Sequence, residues 1–293
     1  MRIGLRLSGP RRSWALAVVA AALIAIPIAV SVLIAGYLSA TARPLVRQLS
    51  VRVPDYPRGA SPVRIVLFSD VHVHGPDMPP ARVARIVEQI NALRPDVVVA
   101  AGDFVGDNWF GRDYPADQAI APLRDLKARF GVYAVLGNND YSAGAGSIVQ
   151  ALNRAGVRVL INGAARAGPI AVAGLDGRVQ KLKPLVAARA KTYGALERIP
   201  GPRILIVHRP DEVVDAPDSI GLVLAGHTHC GQIVLPLVGA LVSGSDYGRK
   251  YLCGRITEGS KLLVVTAGLG TSHVPIRIGA PPDLWLITIA GTR

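Results

Sequence analysis

The amino-acid sequence predicts an α/β sandwich domain that follows one transmembrane helix. Residues 14–38 form an apolar stretch without a charged side chain, and a helix needs only about 20 residues to cross a bilayer. Five short runs rich in β-branched residues then alternate with helical patterns, which is typical of an α/β domain. Each run ends in polar residues of the kinds that bind metal ions.

The apolar stretch is predicted to be a transmembrane helix or signal anchor. Trp14 and Tyr37 lie near its two ends, where amphipathic rings favour the membrane interface, and Pro27 would kink the helix without forbidding it. A basic segment, 1–13, precedes the helix. Arginines occur before the span at positions 2, 6, 11 and 12, and after it at positions 43, 47 and 52. This modest bias predicts a cytoplasmic N-terminus and a domain on the outer side of the cytoplasmic membrane.

A cleaved signal peptide is the alternative to an anchor. Ala40-Thr41-Ala42 resembles a signal-peptidase site, although the apolar run is longer than a usual signal core. Arg11-Arg12 also resembles a twin-arginine signal, but its flanks differ from that pattern. The stretch 39–60 is rich in proline and glycine and is interpreted as a linker, which leaves 61–293 as one domain.

The composition favours an anionic partner. The chain of 293 residues is 50% hydrophobic and carries a net charge of +13, which suits a phosphate compound or an anionic membrane surface. A basic surface without a specific partner fits equally well. Aromatic residues make up only 5%, which disfavours a nucleic-acid binder with stacking platforms. The two cysteines, Cys230 and Cys253, are compatible with a disulfide, a soft metal ligand or a small filler residue.

Each of the five predicted strands is a short apolar run that is followed by polar residues. They are Arg64–Phe68, Val97–Ala101, Val132–Leu136, Ile204–Val207 and Leu222–Ala225. Apolar residues between Val83 and Leu93 recur at helical spacing, and Ser147 is a candidate cap for a second helix that runs to Gly156. Ligands of such sheets bind beyond the carboxyl ends of the strands, so the residues after each run are expected to meet at one edge.

Seven metal-ligand candidates follow these runs. They are Asp70, His72, Asp103, Asn138, His208, His227 and His229. Carboxylate, amide and imidazole groups suit Mn, Fe or Zn, and seven ligands are too many for one tetrahedral ion. In Asp-x-His and His-x-His, alternate residues of an extended chain point the same way. The sequence therefore predicts a site for two divalent ions that share one carboxylate.

These motifs resemble the calcineurin-like metallophosphoesterases. The family pattern stands here as "DVH", "GD", "GNND", "VHRP" and "GHTH", and the stretch 268–284 is similar to a membrane-linked bacterial phosphodiesterase subgroup, the YaeI/YkuE-like proteins. The resemblance implies a four-layer fold in which two sheets form a β-sandwich flanked by helices. It implies phosphoester hydrolysis, with a hydroxide between two Mn²⁺, Fe²⁺ or Zn²⁺ ions attacking phosphorus.

The resemblance also implies a role for each motif residue. One ion would be held by Asp70, His72, Asp103 and His229, and the other by Asp103, Asn138, His208 and His227. Asp103, Asn138, Asn139 and His208 are the catalytic candidates. Arg277 is either a phosphate clamp or a surface arginine.

One position departs from the family pattern, because Asn139 stands where a histidine is usual. An amide donates hydrogen bonds but cannot give up a proton near neutral pH. We therefore expect a substrate whose leaving group is already good, such as a pyrophosphate or an aryl diester, or a substitute acid at His74 or His273. In a third interpretation, Asn139 is tolerated because the metal ions provide nearly all of the catalysis.

Together these features predict a membrane-anchored phosphodiesterase or pyrophosphatase. Tethering to the membrane suggests a lipid-linked substrate, such as a nucleotide-diphosphate lipid precursor. Two alternatives from other classes remain: a metal-binding scaffold without activity, since the family histidine is replaced at Asn139, and a basic protein that binds anionic surfaces.

Overall fold

The structure is a computed structural model that describes residues 10–53, 55–106, 108–176 and 182–292. Residues 1–9 of the basic segment, and Pro54 of the predicted linker, lie outside the described residues. The helices are α1 (Pro10–Thr41), α2 (Pro80–Ala92), α3 (Ala116–Ile120), α4 (Asn138–Ser142), α5 (Ala145–Arg154) and α6 (Leu182–Glu197).

The strands fall into two large sheets and one hairpin. They are β1 (Leu45–Val53), β2 (Val63–Phe68), β3 (Val97–Ala101), β4 (Val132–Val135), β5 (Val157–Val159), β6 (Gly163–Ala167), β7 (Ile170–Gly174), β8 (Arg203–Ile206), β9 (Leu222–Ala225), β10 (Val234–Leu235), β11 (Gly239–Ala240), β12 (Gly254–Glu258), β13 (Lys261–Val265) and β14 (Asp283–Gly291). The first sheet has the order β1-β14-β2-β3-β4-β5, and the second β12-β13-β9-β8-β7-β6. Strands β10 and β11 form the hairpin.

The two sheets pack face to face, with helices on both outer faces. Side chains such as Leu67 and Val99 of the first sheet share one apolar core with Ile204 and Leu224 of the second. Helices α2 and α5 cover the outer face of the first sheet, and residues of α6 join the core on the outer face of the second. The predicted four-layer α/β sandwich is confirmed.

The predicted linker, 39–60, is not a linker over its whole length. Its central part forms β1, which pairs in parallel with β14 from Leu45↔Asp283 to Val53↔Gly291. Composition misled here because proline and glycine flank a strand with alternating apolar side chains, Leu49, Val51 and Val53, which pack against the core between the sheets. The sheet therefore begins before residue 61.

Two predicted helix features also need correction. Helix α5 begins at Ala145, with Gly144 at its N-cap, and the Ser147 hydroxyl donates to the Gly144 carbonyl within the first turn, so Ser147 is not the cap. Helix α1 extends past the predicted span to Thr41, and its stretch Leu16–Thr41 is long and apolar enough to cross a membrane. The end of α1 contacts the domain, since the Gly36 carbonyl accepts a hydrogen bond from the backbone N–H of Arg277 at 3.0 Å.

Candidate metal centre

The five strand ends that the sequence singles out meet at one edge of the sandwich. Strands β2, β3 and β4 are parallel neighbours in the first sheet, and β8 and β9 are parallel neighbours in the second. Contacts join the two sheets at this edge: the His208 ring bonds the Ala101 carbonyl at 2.7 Å, and the His227 N–H donates to Asp70 Oδ2 at 2.9 Å. The loops after the strands therefore form one site.

The structure brings all seven predicted ligands together in two halves. In the first half, Asp70, His72 and His229 offer ligand atoms within 4.8 Å of one another. In the second half, Asp103, His208 and His227 do the same. Asn138 joins the second half, because its Oδ1 lies 3.1 Å from His208 Nε2.

Asp103 lies between the halves. Its Oδ2 is 3.2 Å from His208 Nε2 and 3.6 Å from His72 Nε2. Its Oδ1 faces away and accepts the backbone N–H of Asn139 at 2.9 Å. One carboxylate oxygen is therefore placed to contact cations in both halves.

The donor groups fit divalent cations. Asp70 Oδ1 is buried and, among the described residues, has no hydrogen-bond partner, while Oδ2 accepts from Ser69 and His227. Ring nitrogens also face each other at 3.1 Å, His72 with His229 and His208 with His227. An orphaned carboxylate oxygen and opposed nitrogen lone pairs need a proton or a cation between them, and oxygen with imidazole suits Mn, Fe or Zn.

The first half keeps its ligands ready at neutral pH. Burial alone would raise the pKa of Asp70, but the neighbouring rings of His229 and His72 more than offset this and hold it below its ordinary value. Burial lowers the pKa of His229 to about 3, so this ring is neutral. A carboxylate and a neutral imidazole are the forms that bind a metal.

The second half holds a proton. Burial alone would lower the pKa of His208, but the Asp103 carboxylate more than offsets this and raises it to about 9. His208 in turn lowers the pKa of Asp103 against the opposing effect of burial. Burial, followed by the neighbouring His208, lowers the pKa of His227 to about 4. A cation bound in this half would have to displace the His208 proton.

The loops that carry the ligands adopt an uncommon backbone conformation. The φ angles of Asp70, His72, Asp103, His227 and His229 lie between 44° and 71°, in the left-handed region. Non-glycine residues seldom adopt such angles, and where they do, the surrounding structure must hold them there, most often at functional sites.

Asp140 is a site residue for which the sequence assigned no role. Its fully buried carboxylate accepts the backbone N–H groups of Asp103, Phe104 and Gly137, at 2.8–2.9 Å. Burial and the nearby Asp103 carboxylate raise its pKa to about 7. Gly137 is required next to it, because a Cβ there would overlap the Asp103 carboxylate. Its place at the end of "GNND" was the signal that could have identified it.

Arg277 is neither a phosphate clamp nor a surface arginine, the two roles expected from the sequence. It is fully buried, and its guanidinium donates to the carbonyls of Ala267, Gly270 and Ala280. Its Nη2 also lies 3.1 Å from Nδ1 of His229. Arg277 therefore fixes the His229 ring so that Nε2 points toward His72.

The structure places Asn139 beside the ligands. Its Oδ1 accepts from Asn138 Nδ2 at 2.6 Å, which turns the Asn138 carbonyl oxygen toward His208. Its Nδ2 is 3.3 Å from Nδ1 of His72. Asn139 thus orients two candidate ligands, a role that the motif alone did not indicate.

The two proposed substitutes for the family histidine differ in position. His74 is buried and its ring lies 3.2 Å from Asp113. His273 is exposed and lines a cleft of about 430 Å³ together with His227 and His229. Of the two, His273 is the one beside the candidate metal centre.

The cysteines next to the site are joined. Cys230, which follows His229, forms a disulfide with Cys253. Of the three interpretations open from sequence, the bridge is therefore the one found, and neither thiol is available as a metal ligand.

Comparison with known proteins agrees with this geometry. The family model described as calcineurin-like phosphoesterase matches residues 63–231. The metallophosphoesterase YkuE of Bacillus subtilis is 32% identical over 81% of this chain and 82% of its own length. A metallophosphoesterase of Aquifex aeolicus is 31% identical, with 84% and 92% covered.

A third relative is named a transmembrane protein with metallophosphoesterase domain, from Danio rerio. It is 30% identical over 96% of this chain, which spans 64% of that relative's length. The family match covers more than half of this chain, and it includes every strand end that supplies a candidate ligand. The chain therefore belongs to the calcineurin-like phosphoesterase family.

Proposed function

We propose that this protein is a membrane-anchored hydrolase of phosphodiesters or pyrophosphates that works with two divalent metal ions. The observation that carries the proposal is the position of Asp103 Oδ2 between the two halves of the site. Two bound ions, of Mn, Fe or Zn, would lower the pKa of a water molecule and neutralise charge on the phosphoryl oxygens.

The protein's own residues have separable roles in this proposal. Asp70, His72 and His229 would hold one ion, Asn138, His208 and His227 would hold the other, and Asp103 would contact both. Asn139 orients Asn138, and the Ala101 carbonyl accepts Nδ1–H of His208, which leaves Nε2 to face the site. Asp140 holds the loop that carries Asp103.

Protonation of the leaving group is the step that the usual family histidine could assist. In this chain Asn139 replaces that histidine. Asn139 cannot supply a proton, and its amide is engaged with Asn138 and His72. We propose that the substrate has a good leaving group, as in a pyrophosphate or aryl diester, or that His273 protonates it from the cleft wall. A nucleotide-lipid pyrophosphate would fit both the chemistry and the anchor.

We further propose that the catalytic domain lies on the outer side of the cytoplasmic membrane, held by a single span. Helix α1 is apolar over Leu16–Thr41, and the Cys230–Cys253 disulfide suits an oxidising compartment. Fusions of the C-terminus to alkaline phosphatase and to a cytoplasmic reporter test the orientation. Activity of the cytoplasmic reporter alone would reject it.

The function is tested with the full chain, purified in detergent and stripped of metal. We expect hydrolysis of bis(p-nitrophenyl) phosphate or of a nucleotide-lipid pyrophosphate only after addition of Mn²⁺, Fe²⁺ or Zn²⁺, and inhibition by a chelator. Two bound ions without turnover of either substrate would favour a metal-binding scaffold. Polyanion binding that is insensitive to chelator, without turnover, would favour a basic surface binder.

A further inference from the structure

Two loops beside the candidate metal centre expose large apolar side chains. One loop follows β3 and the other is the β10–β11 hairpin with the residues after it. We call their exposed side chains the apolar rim; they are Trp109, Phe110, Leu237, Val238, Leu241 and Val242. Trp109 is 68% exposed and Leu237 is fully exposed. Large apolar side chains exposed together on loops beside a site mark a contact surface.

The rim borders the cleft of about 430 Å³ that leads to His227 and His229, and Trp109, Leu241 and Val242 line the wall of that cleft. The backbone N–H of Trp109 donates to the His273 carbonyl at 2.9 Å, which ties the first loop to the segment 272–279. Whatever contacts the rim therefore lies at the mouth of the candidate metal centre.

The hairpin and the anchor helix are attached to the same segment. The N–H of Val234 donates to the Ile278 carbonyl at 2.8 Å, and the N–H of Arg277 donates to the Gly36 carbonyl of α1 at 3.0 Å. A Cβ at Gly36 would overlap Ile276, so the absence of a side chain permits this close approach. The rim loops and α1 are thus held by the same short segment, 272–279.

The depth of this contact identifies the partner. Gly36 lies five residues before the end of α1 at Thr41, which is about 7 Å along the helix axis. The segment 272–279, to which both rim loops are hydrogen-bonded, therefore reaches the level of the last helical turns, which is the depth of the headgroup layer. Trp favours that layer, and Phe and Leu are common on segments that insert into it.

Basic side chains lie at the same end of α1. Arg43 and Arg85 are exposed and line a groove where the helix leaves the span, and the buried Arg82 donates to the Ala42 carbonyl at 2.9 Å. Arginines beside an apolar patch complement an anionic bilayer surface.

We propose that the apolar rim inserts into the interfacial layer of the bilayer beside α1. The cleft over His227 and His229 then opens at the membrane surface and admits phosphoesters that carry an apolar tail. This inference rests on the membrane anchoring proposed above, and it names amphiphilic phosphoesters as the substrate class.

Fluorescence quenching tests the insertion without relying on activity. The full chain is placed in vesicles of phosphatidylethanolamine and phosphatidylglycerol, as variants that each retain one of its three tryptophans, Trp14, Trp109 or Trp285. We expect lipids with a spin label near the headgroup to quench Trp14 in the anchor and Trp109 in the rim. Trp285, which is buried in the domain, should remain unquenched.

The quenching outcomes separate the rim from the anchor. If Trp14 is quenched and Trp109 resembles Trp285, the rim proposal is overturned and the anchor stands. If neither Trp14 nor Trp109 is quenched, both fail. Dimers in lipid nanodiscs that disappear in the variant Leu237→Ser/Val238→Ser, without quenching of Trp109, would assign the rim to a second copy of the chain.

A matched pair of substrates tests the consequence for turnover. Leu237→Ser/Val238→Ser should leave hydrolysis of soluble ethyl p-nitrophenyl phosphate unchanged and lower hydrolysis of hexadecyl p-nitrophenyl phosphate in vesicles by about tenfold. Val186→Ser, an exposed apolar side chain on α6 outside the rim, is the control and should change neither rate. An equal loss on both substrates in the hairpin variant would overturn the proposal.

Discussion

The two halves of the candidate metal centre use the same types of ligand at the same kind of strand end, yet they hold protons differently. His229 in the first half is buried beside Arg277, and its pKa is lowered to about 3. His208 in the second half is as well buried, but it faces Asp103, and its pKa is raised to about 9. Burial lowers the pKa of His229 despite Asp70 at 3.6 Å, whereas Asp103, at 3.2 Å from His208, outweighs the effect of burial there.

This difference has a consequence for metal loading. A cation that enters the first half meets a carboxylate and a neutral His229, so it displaces no proton from either group. A cation that enters the second half must remove the proton shared by His208 and Asp103. The two ions are expected to bind with different dependences on pH.

Of the variants proposed here, Asp103→Asn should cause the greatest loss of activity. It removes the carboxylate that raises the pKa of His208, and with it the difference in protonation between the two halves. The amide cannot bridge two cations, so we expect metal-dependent hydrolysis of bis(p-nitrophenyl) phosphate to fall at least about 1,000-fold. Metal analysis should show loss of bound ions as well. Asp125→Asn, at an exposed carboxylate, is the control. Full activity in Asp103→Asn would remove the shared carboxylate from the mechanism.

Manganese titrations at different pH values should distinguish the metal affinities of the two halves. Because His208 has a pKa of about 9, the affinity of the second half should fall about tenfold for each pH unit below that value, whereas the first half should vary less. Calorimetry in buffers of different ionisation enthalpy would measure about one proton released near pH 7. Two pH-independent binding steps would contradict the assignment.

The same raised pKa should appear in the stability of the metal-free protein. A histidine with a folded pKa above its ordinary value of 6.5 contributes stability that is fully present below about pH 6.5 and is lost as the pH rises through about 9. Urea unfolding across this range should show the decline. The decline should disappear in His208→Gln, and a decline that persists there would have another cause.

Arg277→Met should weaken the first half more than the second. It leaves buried carbonyls unpaired and frees the His229 ring, so we expect about 3 kcal/mol lower unfolding free energy and about 10–100-fold weaker metal binding in the first half. Arg277→Lys retains the charge and should recover part of the affinity. Equal weakening of both halves would indicate a general loss of structure instead.

Asn139→His should produce the smallest effect. It should change the rate of ester hydrolysis more than the affinity for metal ions. An imidazole there would provide a proton donor, so we expect roughly tenfold faster turnover of esters with poor leaving groups and little change for p-nitrophenyl esters. A series of esters with graded leaving-group pKa measures this. A rate that is independent of the leaving group in the unmodified protein would contradict the proposal of a good leaving group.

The strand ends were predictable because parallel strands deliver their following residues to one edge, whatever their distance along the chain. Strand β1 could have been recognised from the alternation of Leu49, Val51 and Val53, but proline and glycine around it indicated a linker. Its partner β14 lies more than 200 residues later, and no local pattern specifies such a pairing.

The supporting contacts of the site were less accessible from sequence. The sequence around Arg277 does not distinguish it from a surface arginine. Only the packing of the segment 267–280 around it shows that it is buried. The left-handed conformations of Asp70 and His72 are equally invisible in a linear pattern, since neither residue is a glycine. The residues that meet at the site could thus be predicted, whereas the groups that orient them depend on tertiary contacts.

Anomalous diffraction from crystals of the full chain grown with Mn²⁺ tests the shared site at its centre. We expect two manganese peaks about 3.5–4 Å apart, one beside Asp70 and His229, the other beside His208 and His227, and both in contact with Oδ2 of Asp103. A single manganese peak, or a pair that leaves Asp103 outside both coordination shells, would contradict the two-metal proposal.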